Sequence, residues 1–331
     1  METPPFSALP LDRGHPPHSA WAVWGADDEL GTLNHLTDAV VAAAAKDEIR
    51  TGARIGLNWT LQQMARPPPF RNVLEHRISP IEGGGMHDDT LHFNTQTSSQ
   101  WDGFRHCGYE NGLFYNGVSG EDILHKRTER IGIHGMSILI GIMCLRSFWL
   151  TSTAWCKQGI VGRGVLVDFA SYAVRHKLDF NPLNRSIISL ATVKQILEES
   201  KTVVRRGDIL VVRFLRAYGQ ATAEELDRLM TAEPLEYPGV DNTKEFAEWL
   251  WDSGFAAVCT DSPGFEAMPP RGFFLHPVLL AGFGMPIGEL FALDGLAAQC
   301  EKAGRATFFF TSEPLNVVGG VASPPNALAI F

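Results

Sequence analysis

The densest group of polar side chains lies in one short stretch, NTQTSSQWDGFRH, which carries Gln96, Gln100, Asp102, Arg105 and His106. An aspartate and a histidine four residues apart can converge on one centre if the loop folds back. The competing reading is that Asp102 only caps a turn before Gly103, as Asp-Gly often does. A second group is distant in sequence. His276 sits in FFLHPVLL and Glu289 in GMPIGELF, both in strongly apolar surroundings. A lone buried histidine is ordinarily a hydrogen-bonded core residue. A glutamate flanked by Ile287, Leu290 and Phe291 needs more explanation, because a buried carboxylate is costly unless it is paired or bound to metal. Asp261 and Glu266, in TDSPGFEAMPP, form a third candidate pair in a loop after a predicted buried strand.

Other catalytic signatures are missing. There is no GxSxG elbow, no Walker A loop and no HExxH. The glycines of GIVGRG are not spaced as a dinucleotide fingerprint requires.

The elements that must position these groups alternate between strand and helix patterns. Thr37 is the expected N-cap of a helix over DAVVAAAAKDEI, and Gly52 its expected end. RIGLNWTL and LHFNTQTS have strand character. Val165–Val167 and RRGDILVVRFL read as buried strands, and FAAVCTDSP as a third. TVKQILEESK and TKEFAEWLWDSG read as helices, the second ending at Gly254. Residues 286–303 read as largely helical, and ATFFFTSEPLN as the last strand. This alternation predicts an α/β or α+β class with a mixed sheet.

The chain has 331 residues, 45% of them hydrophobic, and a net charge of −9. That is the profile of a soluble globular protein. Without a basic block, no nucleic-acid surface is expected. Five scattered cysteines with no CxxC argue against disulfides and for a reducing compartment. No secretory signal is recognised, so a cytoplasmic location is the expectation. The apolar run at 135–153 is shorter than the ~20 residues of a membrane span and contains Arg146, so no membrane association is expected.

Taken in order, these residues resemble the cyclase family that includes bacterial-type kynurenine formamidases and isatin hydrolases. The likeness runs through WGADDELGTLN, NTQTSSQWDGFRH, GIVGRGVLVDF, RRGDILVVR, FAAVCTDSPGFE and LHPVLLAGFGMPIGEL. The chain is most similar to a branch, common in fungi and some bacteria, whose reactions are mostly unassigned. The resemblance implies one α/β domain around a mixed β-sheet or barrel with outer helices. Residues 1–20 would form an irregular arm and 21–331 the cyclase-like domain. It also implies a homodimer or higher homo-oligomer, a contact the arm could serve.

Well-known members of that family carry HxxxHxDxxxH at a zinc or manganese site. Here the pattern reads QxxxQxDxxxH. Asp102 falls on the metal-binding aspartate and His106 on the closing histidine, a catalytic acid–base candidate. Gln96 and Gln100 fall on the first two histidines, and His276 and Glu289 on a further histidine and glutamate ligand. The implied metal set is Asp102, His276 and Glu289, with Gln100 in a former ligand position. A neutral amide oxygen is a weak, hard ligand beside imidazole. Zinc binding should therefore weaken, which favours manganese or magnesium, and complete loss of metal is the alternative. His87 and His92 lack a defensible metal spacing.

For a small-molecule substrate, Gln96, Trp101, Phe104 and Arg105 are the candidate contacts. Trp101 and Phe104, with Tyr109 and Phe114, would form an aromatic wall, and Arg105 would orient a carboxylate; core packing and a solvated surface are the competing roles. The implied activity is metal-dependent hydrolysis of a small amide, lactam or ester. Two alternatives stand beside it. One is a metal-independent cyclase, dehydratase or isomerase of secondary metabolism. The other is a non-catalytic binding protein on the same scaffold.

Residues 135–153 have no counterpart in the sequences this chain resembles. Their removal joins IGIH to AWCKQ without a break. The hypothesis is a retained intron in the gene model, with a lineage-specific loop helix as the alternative; transcript sequencing decides, because mature mRNA that uniformly contains the segment would refute it. If translated, the segment is expected to disturb packing near His134, since exposed apolar stretches favour association.

Overall fold

The apolar runs at 160–168, 209–213 and 257–260 pair as the centre of a nine-stranded mixed sheet. The structure, a computed structural model, describes residues 3–64, 71–81, 85–134, 155–182, 184–214, 224–225, 231 and 235–331. The strands in chain order are β1 (Arg54–Gly56), β2 (Glu75–Pro80), β3 (His87–His92), β4 (Gln100–Asp102), β5 (Ile160–Asp168), β6 (Ile187–Ile188) and β7 (Ile209–Arg213). They continue with β8 (Gly239–Val240), β9 (Ala257–Thr260), β10 (Ile287–Glu289), β11 (Thr307–Ser312), β12 (Ala322–Ser323) and β13 (Ala327–Ile330). The large sheet runs β1-β13-β11-β5-β7-β9-β10-β4-β12, with β5, β7, β9 and β10 parallel to one another and the other pairings antiparallel.

Two cores sandwich this sheet, because successive side chains of a strand point to opposite faces. Val165, Val167, Leu210, Val212 and Val258 enter one core. Leu166, Ile209, Val211, Ala257 and Cys259 enter the other. Burial on both faces is why these strands read as continuous apolar runs. Helices Phe169–Arg175, Leu190–Glu199 and Lys244–Ser253 cover the first face, and helix Asp294–Ala303 packs on the second. In Lys244–Ser253 the buried Phe246, Ala247, Leu250 and Trp251 form one stripe, the sign of an amphipathic helix. Thr243 caps its start by accepting from the Phe246 N–H, and Gly254 ends it in the left-handed region at φ 71°.

The α/β class and the mixed sheet are as the sequence implies. Some element bounds differ. Thr37 does cap its helix, accepting from the Val40 N–H, but Asp38–Glu48 stops before Gly52, which serves the following turn. Residues 286–303 are not helical throughout: β10 occupies their start, fixed by pairing with β4 on one side and β9 on the other. Strand β11 is not the last, since β13 returns to pair with β11 and β1.

Residues 3–20 are irregular but docked on their own chain. Phe6 is buried, its N–H donates to Asp252 Oδ1 at 2.8 Å, and Trp251 Nε1 donates to the Pro4 carbonyl at 2.8 Å. Hairpin β2–β3 exposes His87 and His92 to solvent. Residues 135–153 lie outside the described residues. Among the described residues, no helix is long and apolar enough to cross a membrane.

Candidate metal centre

Register on two short strands assembles the site. Strands β4 and β10 run antiparallel, with Ile287 opposite Asp102, Gly288 opposite Trp101 and Glu289 opposite Gln100. Residues two apart on a strand share a face, and directly opposed residues do too. Gln100, Asp102 and Glu289 therefore point the same way. His276 reaches them from the short helix Leu275–Pro277. Its Nε2 lies 3.2 Å from Glu289 Oε1 and 3.9 Å from Asp102 Oδ2. His106 Nε2 stands 3.6 Å from Asp102 Oδ2.

The two glutamines have a role that their positions alone do not reveal. Gln96 Nε2 donates to Asp102 Oδ1 at 2.6 Å. Gln100 Nε2 donates to Glu289 Oε2 at 2.8 Å and to Asp102 Oδ1 at 3.3 Å. Arg71 Nη1 donates to Gln100 Oε1 at 3.3 Å and to the Gln96 carbonyl at 2.9 Å. A guanidinium only donates, so Gln100 must turn its oxygen to Arg71 and its NH₂ to the carboxylates. Gln100 thus presents no ligand oxygen here, which corrects its reading as a metal ligand.

These bonds leave one oxygen on each carboxylate. Asp102 Oδ2 and Glu289 Oε1 are buried and have no hydrogen-bond partner among the described residues. The 3.2 Å contact between His276 and Glu289 Oε1 is close enough for an ion pair but lies outside hydrogen-bond geometry. An unsatisfied buried carboxylate oxygen is costly, and a cation is one remedy. One ligand atom from each of Asp102, His276 and Glu289 lies within 4.8 Å of the others. Two carboxylate oxygens and an imidazole nitrogen suit manganese or zinc. The donor set fits a divalent ion.

The electrostatics are those of a buried cluster with excess negative charge. Burial raises the Glu289 pKa to about 7, with Asp102 adding to the effect. Burial opposes the imidazolium of His276, but Glu266 and Glu289 outweigh it and hold this ring well above its ordinary value. Burial lowers the His106 pKa against the pull of Asp102.

Three expected substrate contacts are core or scaffold instead. Trp101 is fully buried, donates from Nε1 to Ser312 Oγ at 2.8 Å and packs edge-on to Phe291. The strand alternation that turns Asp102 toward the site turns Trp101 away from it. Phe104 is also fully buried, against Tyr115 and Trp155. Arg105 spends its donors on the carbonyls of Thr128, Arg130 and Gly319, so it fastens loops and is not free for a carboxylate. Gln96 does reach the site, where it holds Asp102 and comes within 3.3 Å of His106 Nδ1.

Two contributors were not legible as such. Glu266, paired on paper with Asp261, instead contacts His276 Nδ1 at 2.6 Å. Asp261 accepts the Phe214 N–H at 2.8 Å. Arg71 follows a proline-rich break and carries no sequence signal; only the fold brings it to Gln100.

Residues 15–267 match the family described as "Putative cyclase". The chain belongs to this family. The match includes Asp102, His106 and Glu266, while His276 and Glu289 lie beyond it. A solved structure described as a novel cyclase superposes with a TM-score of 0.77 at 27% identity, over 95% of this chain and 99% of that one. Isatin hydrolase A from Ralstonia solanacearum superposes with a TM-score of 0.55 at 16% identity, over 88% and 96% of the two chains. An isatin hydrolase bound to the product analogue thioisatinate gives 0.55 at 13% identity, over 88% and 95%. At such identities the isatin hydrolases share the fold. No curated protein matches the chain.

Proposed function

We propose that this cyclase-family chain hydrolyses an amide, lactam or ester bond of a small molecule, using a divalent ion held by Asp102, His276 and Glu289. The observation that carries this reading is the pair of buried, unpartnered oxygens, Asp102 Oδ2 and Glu289 Oε1, converging with His276 Nε2. The likeness to isatin hydrolases supports the choice of bond. A divalent ion supplies Lewis acidity, which polarises a carbonyl and acidifies water.

The chain's own residues supply proton transfer and orientation. The side chain of His106 is 28% exposed, whereas that of Asp102 is fully buried. Gln96 Nε2 lies 3.3 Å from His106 Nδ1, and an amide NH₂ only donates. The same amide nitrogen lies 3.5 Å from His106 Nε2, which faces Asp102 Oδ2 at 3.6 Å. A water that reaches the exposed edge of this ring can give its proton to the ring nitrogen that lacks one. The imidazolium so formed directs Nε2–H to Asp102 and returns a proton to the leaving atom. Gln96 and Gln100 keep both carboxylates in place throughout.

Metal analysis of the purified chain, paired with Asp102→Ala, tests the proposal. A stoichiometric divalent ion, lost in the variant together with hydrolysis of small amides, lactams or esters, is the expected result. Metal-free protein whose activity is indifferent to chelators would overturn it. One observation favours a second reading, a metal-independent cyclase, dehydratase or isomerase: the glutamine amides already donate to Asp102 and Glu289. Turnover that survives complete chelation would select that reading.

A further inference from the structure

We infer that Glu266 is the positioning residue of the centre: it clasps His276 through both carboxylate oxygens and so aims Nε2 of that ring at Asp102 and Glu289. The inference rests on the proposed metal-dependent reading. Glu266 Oε2 lies 2.6 Å from His276 Nδ1, and Oε1 accepts the backbone N–H of the same residue at 2.8 Å. The glutamate is fully buried. One carboxylate thus fixes the backbone and the ring of one residue together. With Nδ1 against a carboxylate, the proton that the neutral ring keeps stays on Nδ1, and the lone pair belongs to Nε2. Turning the ring over would break the 2.6 Å contact and withdraw the lone pair from the two unpartnered oxygens.

The clasp is itself anchored. Ala267 N donates to the Val240 carbonyl and Val240 N to the Phe265 carbonyl, both at 3.0 Å. The backbone on either side of Glu266 is therefore tied to β8. Gly239 permits this approach, because a Cβ there would stand 2.1 Å from the Glu266 carbonyl carbon. A purely structural role has different requirements. Capping the helix that begins at Leu275 needs only an acceptor for the His276 N–H, whereas orienting the ring needs the second oxygen as well.

Calorimetric titration of the full-length chain with ZnCl₂ tests the inference, using the wild type, Glu266→Gln and Glu266→Asp. Glu266→Gln keeps one acceptor and loses the other. Its zinc affinity should fall by about 10–100-fold, the usual effect of losing a ligand's outer hydrogen-bond partner. Its metal-free unfolding midpoint should stay near wild type, and Glu266→Asp should recover part of the affinity. A folded Glu266→Gln chain that binds zinc as tightly as wild type would overturn this inference alone. A wild-type chain that binds neither zinc nor, in a parallel titration, MnCl₂ would overturn the metal-dependent reading and this inference with it. If Glu266→Gln does not fold, ¹⁵N spectra of histidine-labelled, zinc-loaded wild type decide. A His276 ring protonated at Nδ1 supports the clasp, and one protonated at Nε2 refutes it.

Discussion

Asp102 and Glu289 are each half satisfied: one oxygen takes glutamine amides, and the other has no hydrogen bond among the described residues, only histidine rings at 3.2–3.9 Å. That division makes the site a place for a cation, and it separates the roles of the surrounding residues. His106 lies outside the group of three ligand atoms. His106→Ala is therefore predicted to lower turnover by about 10²–10⁴-fold, the usual worth of general acid–base catalysis, without loss of metal. Steady-state rates together with metal content check this; loss of both would make His106 a ligand. Gln100→Ala leaves Glu289 Oε2 without its donor, and should destabilise the metal-free protein by about 1.5–3 kcal/mol, the worth of a hydrogen bond to a charged group. Urea unfolding of the metal-free variant measures it. At this scale the sequence is informative about Asp102, His106, His276 and Glu289, through spacing, apolar context and family likeness. It says nothing direct about Arg71 or the Glu266 clasp, whose meaning depends on distances that only the fold sets.

The elements explain which residues face the site. Asp102 and Trp101 are adjacent, yet strand alternation sends one to the centre and the other to the core. This is why an aromatic wall inferred from proximity in sequence fails at Trp101; Phe104 lies past the strand and packs against Tyr115 and Trp155. Strand β10 escapes detection because Ile287–Glu289 is too short for a period to show, and its pairing is entirely non-local. Its packing is tight: a Cβ on Gly288 would come within 2.7 Å of Phe291 and 3.0 Å of Trp101. Gly288→Ala should cost about 1–3 kcal/mol, as overpacked cores do, and urea unfolding reads it. The turn Gly31–His35 gives a pH prediction. Burial, with Arg206 and the N-terminus adding, holds the His35 pKa down at about 4, against 6.5 ordinarily. Between these values the unfolded chain binds a proton that the folded chain refuses, so stability present above pH 6.5 is lost as pH falls toward 4. The loss attributable to this ring is about 3 kcal/mol. His35→Asn should show a shallower decline of unfolding free energy across that window; an unchanged slope would exclude His35 as its source.

At the scale of the whole molecule, the site needs residues from 71 to 289, so the fold is the unit of function. The alternation of buried runs made the α/β class and the central strands legible. Edge strand β1 was legible in RIGLNWTL, whereas β12, β13 and the docking of the N-terminal arm depended on long-range pairing and were not. Described residues on either side of 135–153 are close, since Cys156 Sγ lies 3.3 Å from the Ile133 carbonyl. Deleting 135–153 should therefore leave the fold closed, with an unfolding midpoint at least equal to that of the full chain and less self-association by light scattering. A deletion variant that fails to fold would make the segment part of the architecture. The central claim, a divalent ion among Asp102, His276 and Glu289, is tested most directly by anomalous diffraction from crystals grown with MnCl₂. The account predicts a manganese peak bonded to Asp102 Oδ2, Glu289 Oε1 and His276 Nε2. Ordered density for all three side chains with no peak among them would contradict it.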